Sequence, residues 1–336
     1  MKLGLVYDLR DDYLARGFTE EETAEFDAKE TIDALAGSFK RLGWDVVPVG
    51  CGQDLARRFA ADERFDLVFS IAEGLKGRSR EAQVPALCEM FDQPYVFSDP
   101  LTMAVTLDKG AAKRIVRDAN VPTADFDVIA NAEEISATRR NFPLFLKPLA
   151  EGTGKGCGGR SRVENEAELK GEAARLIVEF RQPVLVESYL PGREFTVGIL
   201  GNAREARVIG VMEIIVATDT DKGAYSLAVK ENWEEHVTLS LADDIEARLA
   251  GARALDAYHE LGCRDAARVD MKSDGFGSPQ FLEVNPIAGL RPDHSDLPML
   301  AEKAGLSYDA LIGGIVAAAC VRQGIPLPRG HRRQAA

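Results

Sequence analysis

The sequence lacks a basic excess, paired cysteines and any long apolar run. Its 41 Lys and Arg stand against 54 Asp and Glu, a net charge of −13. That balance argues against a general nucleic-acid partner or an anionic membrane surface, although a local basic patch can still hold a phosphate. The five cysteines, Cys51, Cys88, Cys157, Cys263 and Cys320, are scattered singly with no C-x-x-C pair and no framework spacing. They fit reduced cytosolic thiols, buried rather than catalytic because no His makes a ready activating partner for them in sequence. Cys157 alone lies in a glycine-rich loop, where exposure is plausible. No apolar stretch is long enough to span a bilayer. Met1-Lys2-Leu3-Gly4-Leu5-Val6-Tyr7 reads as a strand rather than a signal peptide, since charged residues follow at once. A cytoplasmic protein without nucleic-acid or membrane partners is expected.

At 336 residues and 46% apolar content the chain can bury a large core as two or three subdomains. The first third alternates strand and helix: strands over 2–7, 45–49 and 67–71, and a helix over 31–42 stopped at Gly43. This is a βαβ pattern with a parallel sheet. An acidic insert, 8–30, follows the first strand, and its Thr19-Glu20-Glu21-Glu22 reads either as a capped helix start or as a solvated turn. A second unit begins near Asp108, with a helix over 109–120 and strands over 144–147 and 184–187; a third runs from Phe195 to a helix over 308–323. The expected division is 1–107, 108–194 and 195–325, with a polar tail over 326–336. The fold class is α/β in its first unit and α+β overall.

Three segments carry candidate chemistry. In Ala267-Arg268-Val269-Asp270-Met271 and Gln280-Phe281-Leu282-Glu283-Val284-Asn285, joined by an Asp-Gly turn, strand alternation puts Glu283 and Asn285 on one face and Leu282 and Val284 on the other. Closing the hairpin with Asp270 opposite Phe281 adds Arg268 and Asp270 to the charged face. Two carboxylates, an amide oxygen and a guanidinium facing one way suit a divalent cation and a phosphate. A solvated hairpin fits the same pattern equally well. Next, Phe145-Leu146-Lys147-Pro148 leads into Glu151-Gly152-Thr153-Gly154-Lys155-Gly156-Cys157-Gly158-Gly159, a loop whose backbone can approach phosphate closely. It matches neither the P-loop nor the dinucleotide frame. Finally, Val184 to Val197 places Glu187 at a strand end, an apolar hinge at Tyr189-Leu190-Pro191, and Glu194 at the next strand, which suits an adenine edge and a ribose.

Taken in order, these segments resemble the ATP-grasp superfamily, and among its members the D-alanine–D-alanine ligases most closely. The resemblance covers nearly the whole chain. It implies an N-terminal substrate domain and two subdomains that clasp ATP, with two magnesium ions. A carboxylate would attack the γ-phosphate of ATP, and an amine would then attack the acyl phosphate to form an amide. By resemblance, Lys109 and Lys147 hold ATP phosphates, and Glu151, Gly152, Thr153, Gly154 and Gly156 belong to the phosphate-covering loop. Glu187 and the backbone around Tyr189 and Leu190 meet adenine, Glu194 meets ribose, and Lys230 reaches the transferred phosphate. Asp270, Glu283 and Asn285 are the implied magnesium ligands. Arg268 steadies the acyl phosphate, Gly289 stabilises the oxyanion, and Ser295 receives the second substrate's carboxylate. Thr153 keeps one of the two hydroxyls that the family carries in the loop and joins the catalytic positions. Small amino-acid or carboxylate substrates are implied, and a homodimer would fit the family.

The departures lie in the substrate half. The insert 8–30 replaces a short turn whose Glu binds the first ammonium in the family, leaving Glu22 or Glu25 as candidates. A His-Gly pair becomes Glu73-Gly74, with Gln83 keeping the spacing, and a Tyr after the mobile-loop lysine becomes Glu231. The segment after Gly289, Leu290-Arg291-Pro292-Asp293-His294, is one residue longer than usual. The added negative charge at Glu73 and Glu231 favours a cationic or amine-rich substrate, or a hydroxyl. The alternatives are a specialised ligase in small-molecule biosynthesis with a substrate other than D-alanine, and a non-catalytic ATP-binding scaffold. The scaffold is disfavoured by the full set Lys147, Lys230, Arg268, Asp270, Glu283 and Asn285.

Overall fold

A computed structural model describes residues 1–131, 134–137, 141–216 and 237–330. Three sheets organise the described residues. In the first, β1 (Lys2–Val6) lies between β2 (Asp45–Gly50) and β3 (Leu67–Ser70), all parallel. Leu3, Leu5, Leu67, Val68 and Phe69 are fully buried, the near-continuous apolar run expected of strands covered on both faces. The helix Lys29–Arg41 packs on this sheet through Leu35 and Phe39. The last helix, Tyr308–Gln323, packs against that helix and joins the same core through Ile312, Ile315 and Val316. The chain thus returns to its first unit, and Arg41 grips Asp309 with two hydrogen bonds of 2.6 and 2.7 Å.

At Thr19–Glu22 the insert is the solvated turn rather than a capped helix start. The Thr19 hydroxyl accepts from the Glu22 N–H at 3.2 Å, and the Glu22 carboxylate accepts from the Thr19 N–H at 2.9 Å. These are the reciprocal bonds of a capping box, yet only turns follow until Lys29. Helix Arg10–Ala15 precedes it, and the Tyr13 and Phe26 rings, 4.5 Å apart, bury the segment against the body.

The second sheet has the order β4 (Phe126–Ile129), β7 (Val184–Ser188), β5 (Leu144–Pro148), β6 (Arg162–Val163), antiparallel throughout. Helix Glu166–Phe180 covers one face through Leu169, Ala173 and Leu176. The third runs β10 (Val237–Leu241), β9 (Arg207–Val216), β8 (Glu194–Leu200), β11 (Ala266–Ser273), β12 (Pro279–Asn285), also antiparallel. Helix Ile245–Glu260 lies on it along Ala247, Ala250, Ala254 and Ala257, small residues that permit close approach. No single helix among the described residues is long and apolar enough to cross a membrane. All five cysteines are free, and burial pushes the Cys88 and Cys263 thiols up to about 12, which keeps them unreactive. Cys157 is half-buried.

Candidate active site

The β11–β12 hairpin does gather Arg268, Asp270, Glu283 and Asn285, but in a different register from simple alternation. Arg268 pairs with Asn285, Asp270 with Glu283, and Met271 with Phe281, so Leu282 is the extra residue of a β-bulge. Phe281 and Val284 turn into the core, and Leu282 joins Glu283 in lining the cleft. Asp270 is therefore not opposite Phe281, and Leu282 does not share the inner face with Val284. The Asp270 carboxylate accepts from Arg268 at 2.9 and 3.2 Å, from the Thr196 hydroxyl at 2.7 Å and from the Asn285 amide at 3.3 Å. Arg268 also donates to Asp296 at 3.0 Å, a carboxylate the sequence reading did not single out although it follows Ser295 directly. Glu283 faces Lys109 at 3.4 Å. The donor set on this face is all oxygen, with no thiolate or imidazole, and it fits a hard cation such as magnesium.

Lys109 and Lys147 converge on the same cleft from the second unit. The Lys109 ammonium donates to the Glu151 carbonyl at 2.5 Å. Lys147 lies 3.0 Å from one oxygen of Glu187, and Lys113, which is fully buried, lies 2.8 Å from the other. Burial alone would raise the Glu187 carboxyl, but the two lysines outweigh it and hold the group at about 2. With both oxygens so engaged, what remains open toward a flat ligand is the strand end Ser188–Leu190 and the apolar walls Phe145, Pro148, Ile214 and Leu282. Lys113 was legible, being one turn beyond Lys109 on the same helix face. Glu194 pairs with Lys272 at 2.6 Å, itself two residues beyond Asp270 on β11, and Tyr189 lies under the Arg162 guanidinium at 4.4 Å.

The glycine-rich loop takes left-handed backbone at Thr153, Gly154 and Gly156. The Thr153 hydroxyl is buried and has no hydrogen-bond partner among the described residues. Glu25 is committed here rather than to a free ammonium site. One of its oxygens accepts from the Gly152 N–H at 2.5 Å and faces Lys155 at 3.7 Å; the other accepts from Arg80 at 2.7 Å. Arg80 in turn donates to the Ala150 carbonyl at 2.9 Å. The insert thereby clasps the start of the loop. Glu25→Gln is expected to lower the local opening free energy by about 1.5–3 kcal/mol, the worth of a hydrogen bond to a charged group. Hydrogen exchange at Gly152–Gly156 should then speed up tenfold or more relative to β8 amides; unchanged exchange would show that the clasp is idle.

A second cavity lies beyond the hairpin, lined by Asp27, Glu73, Glu81, Arg268, Gly289 and Ser295 among others. The Ser295 hydroxyl accepts from the Arg291 N–H at 3.1 Å, and a Cβ added at Gly289 would meet it at 2.8 Å, so a larger residue there would displace that hydroxyl. Glu22 is exposed and turned back on Thr19, while Glu73 lines the cavity. Lys230 and Glu231 lie outside the described residues.

Residues 115–317 match the family model described as the D-ala D-ala ligase C-terminus. A D-alanine–D-alanine ligase of Pelotomaculum thermopropionicum is 30% identical, over 88% of this chain and 93% of that one. The chain belongs to the D-alanine–D-alanine ligase family. An uncharacterized protein of Sinorhizobium fredii, y4sG, is 32% identical over 74% of this chain and 73% of its own length. The solved D-alanine–D-alanine ligase of Bacillus anthracis complexed with ATP superposes with a TM-score of 0.72 at 22% identity, covering 96% of this chain and 99% of that one. The overall fold is therefore ATP-grasp. The D-ala D-ala ligase model spans the second and third sheets and leaves the insert, Glu73 and Glu81 outside its match.

Proposed function

We propose that the protein is an ATP-dependent ligase that joins a carboxylate to an amine through an acyl phosphate, with amino acids as its substrates. One observation carries this reading: the nucleotide cleft and the second cavity share Lys109, Glu151, Glu283 and Asp296 as a common wall. A phosphoryl group at the end of the first cavity would face a carboxylate in the second. Lys109 and Lys147 would hold the phosphates, and the strand end at Ser188–Leu190 would take the adenine edge, with Glu194 at the ribose. Asp270, Glu283 and Asn285 would hold magnesium. When bound, the metal would offset negative charge on the phosphates. Arg268, already fixed by Asp270 and Asp296, would present its remaining donor edge to the transferred group. Gly289 and Ser295 would position the acceptor, and Thr153 would supply a hydroxyl to the lid. By the resemblance, Lys230 would meet the transferred phosphate and Glu231 the substrate.

The test is ADP release across D- and L-amino acids, singly and in pairs, with mass spectrometry of the product. The reading predicts release that depends on added amino acid and a product heavier than either substrate. ATP binding without turnover over the whole panel would overturn it in favour of a nucleotide-binding scaffold.

A further inference from the structure

The carboxylates around these cavities are mostly spoken for. Glu25 has Arg80, Glu187 has two lysines, Glu194 has Lys272, and Asp270 and Asp296 share Arg268. Glu73 and Glu81 differ. Both are half-buried and line the second cavity, yet neither makes a hydrogen bond or ion pair with any described residue. Arg80, their neighbour in sequence, spends its guanidinium on Glu25 and the Ala150 carbonyl. Arg10 and Arg291 line the same cavity without reaching either carboxylate. Asp27, bonded to Thr31, adds a third carboxylate to this wall.

Burial raises both groups, Glu81 to about 7; neighbouring carboxylates add to the rise, Glu81 and Glu25 on Glu73 and Glu25 and Glu283 on Glu81, while Arg80 opposes it in both and Lys109 in Glu81. Two cavity-lining carboxylates without an ion-pair partner are costly unless a cation arrives from outside. Glu73, Glu81 and Asp27 form no group at metal-binding spacing among the described residues, which suits an organic cation better than a further metal ion. The same cavity is also lined by Arg268, Gly289 and Ser295, which suit a carboxylate. A ligand spanning the cavity would therefore be anionic at one end and cationic at the other.

We infer that this cavity takes an amino acid whose side chain carries a second positive charge, and that Glu73 and Glu81 bind that charge. The inference rests on the ligase reading for the placement of the reacting end. It differs from a general preference for amines in assigning the contact to Glu81, eight residues beyond Glu73 on the segment that leads into the helix Gln83–Met90.

The test is calorimetric binding to the full chain in the presence of ADP and magnesium, comparing lysine with norleucine and ornithine with norvaline, in both enantiomers. At least one cationic member is expected to bind tenfold or more tightly than its neutral isostere. The double variant Glu73→Gln/Glu81→Gln should erase that difference, with ADP affinity serving as the check on folding. Equal binding of the isosteres, a preference that survives in the double variant, or no binding of any cationic amino acid would each overturn the inference. Cationic preference without ADP release would sink the ligase reading and leave the charge assignment standing. ADP release with neutral amino acids and no cationic preference would do the reverse.

Discussion

Glu283→Ala is expected to cut amino-acid-dependent ADP release by roughly 10³-fold or more, as removal of a group that organises phosphoryl transfer does. The melting temperature should stay within a few degrees of the parent protein. Glu283 lies on the wall common to both cavities, directly opposite Asp270, and it faces Lys109 rather than the core. Its loss would remove an oxygen donor from the proposed metal face and a counter-charge from the phosphate-holding lysine together. Core packing would be untouched, since Phe281 and Val284 supply the buried side of β12. Asp270→Ala should lose activity to a similar degree, with some added instability because Arg268 would lose one of its two partners. A coupled ADP assay beside a thermal melt separates the two effects. Activity within tenfold of the parent in either variant would rule out the metal assignment.

The largest stability effect should come from Glu187→Ala. Without that carboxylate, Lys113 and Lys147 would face each other in the interior with only the more distant Glu283 as counter-charge. Breaking a buried pair from one side costs about 3–5 kcal/mol. Lys113 would keep only its hydrogen bonds to the Thr123 hydroxyl at 2.7 Å and the Phe281 carbonyl at 3.1 Å. The sign with pH follows from the depressed carboxyl, at about 2 in the fold against an ordinary 4.5. Its stabilisation is complete above pH 4.5 and is lost as pH falls toward 2. Urea unfolding at neutral pH and at steps down through that window measures both. A variant whose midpoint matched the parent at neutral pH would show that the two lysines find other partners.

Much of this architecture is legible in the chain because it is locally encoded. The parallel strands announce themselves as apolar runs, and the last helix, Tyr308–Gln323, is an apolar run bounded by the Ser307 cap and Gly324. The charged face of the hairpin is legible because alternation survives on either side of its irregularity. The bulge is not, because Phe281 and Leu282 are both apolar and either could face the core. What Glu25 does is hidden for another reason. Its partners lie 55 and 127 residues away, and only the folded insert brings Arg80 and Gly152 to it. The same distance problem conceals Glu81: a carboxylate beside Arg80 in sequence looks neutralised until that arginine proves to be engaged elsewhere.

The extra residue in β12 gives this hairpin an uncommon separability. Because Met271 pairs with Phe281 and Asp270 with Glu283, a chain lacking Leu282 would have an uninterrupted ladder with both carboxylates and Asn285 still in place. Only a patch of wall in the nucleotide cleft would be missing. Fit to the flat part of a nucleotide and the handling of its phosphates are thus carried by neighbouring residues that could be altered independently, one by length and the other by charge.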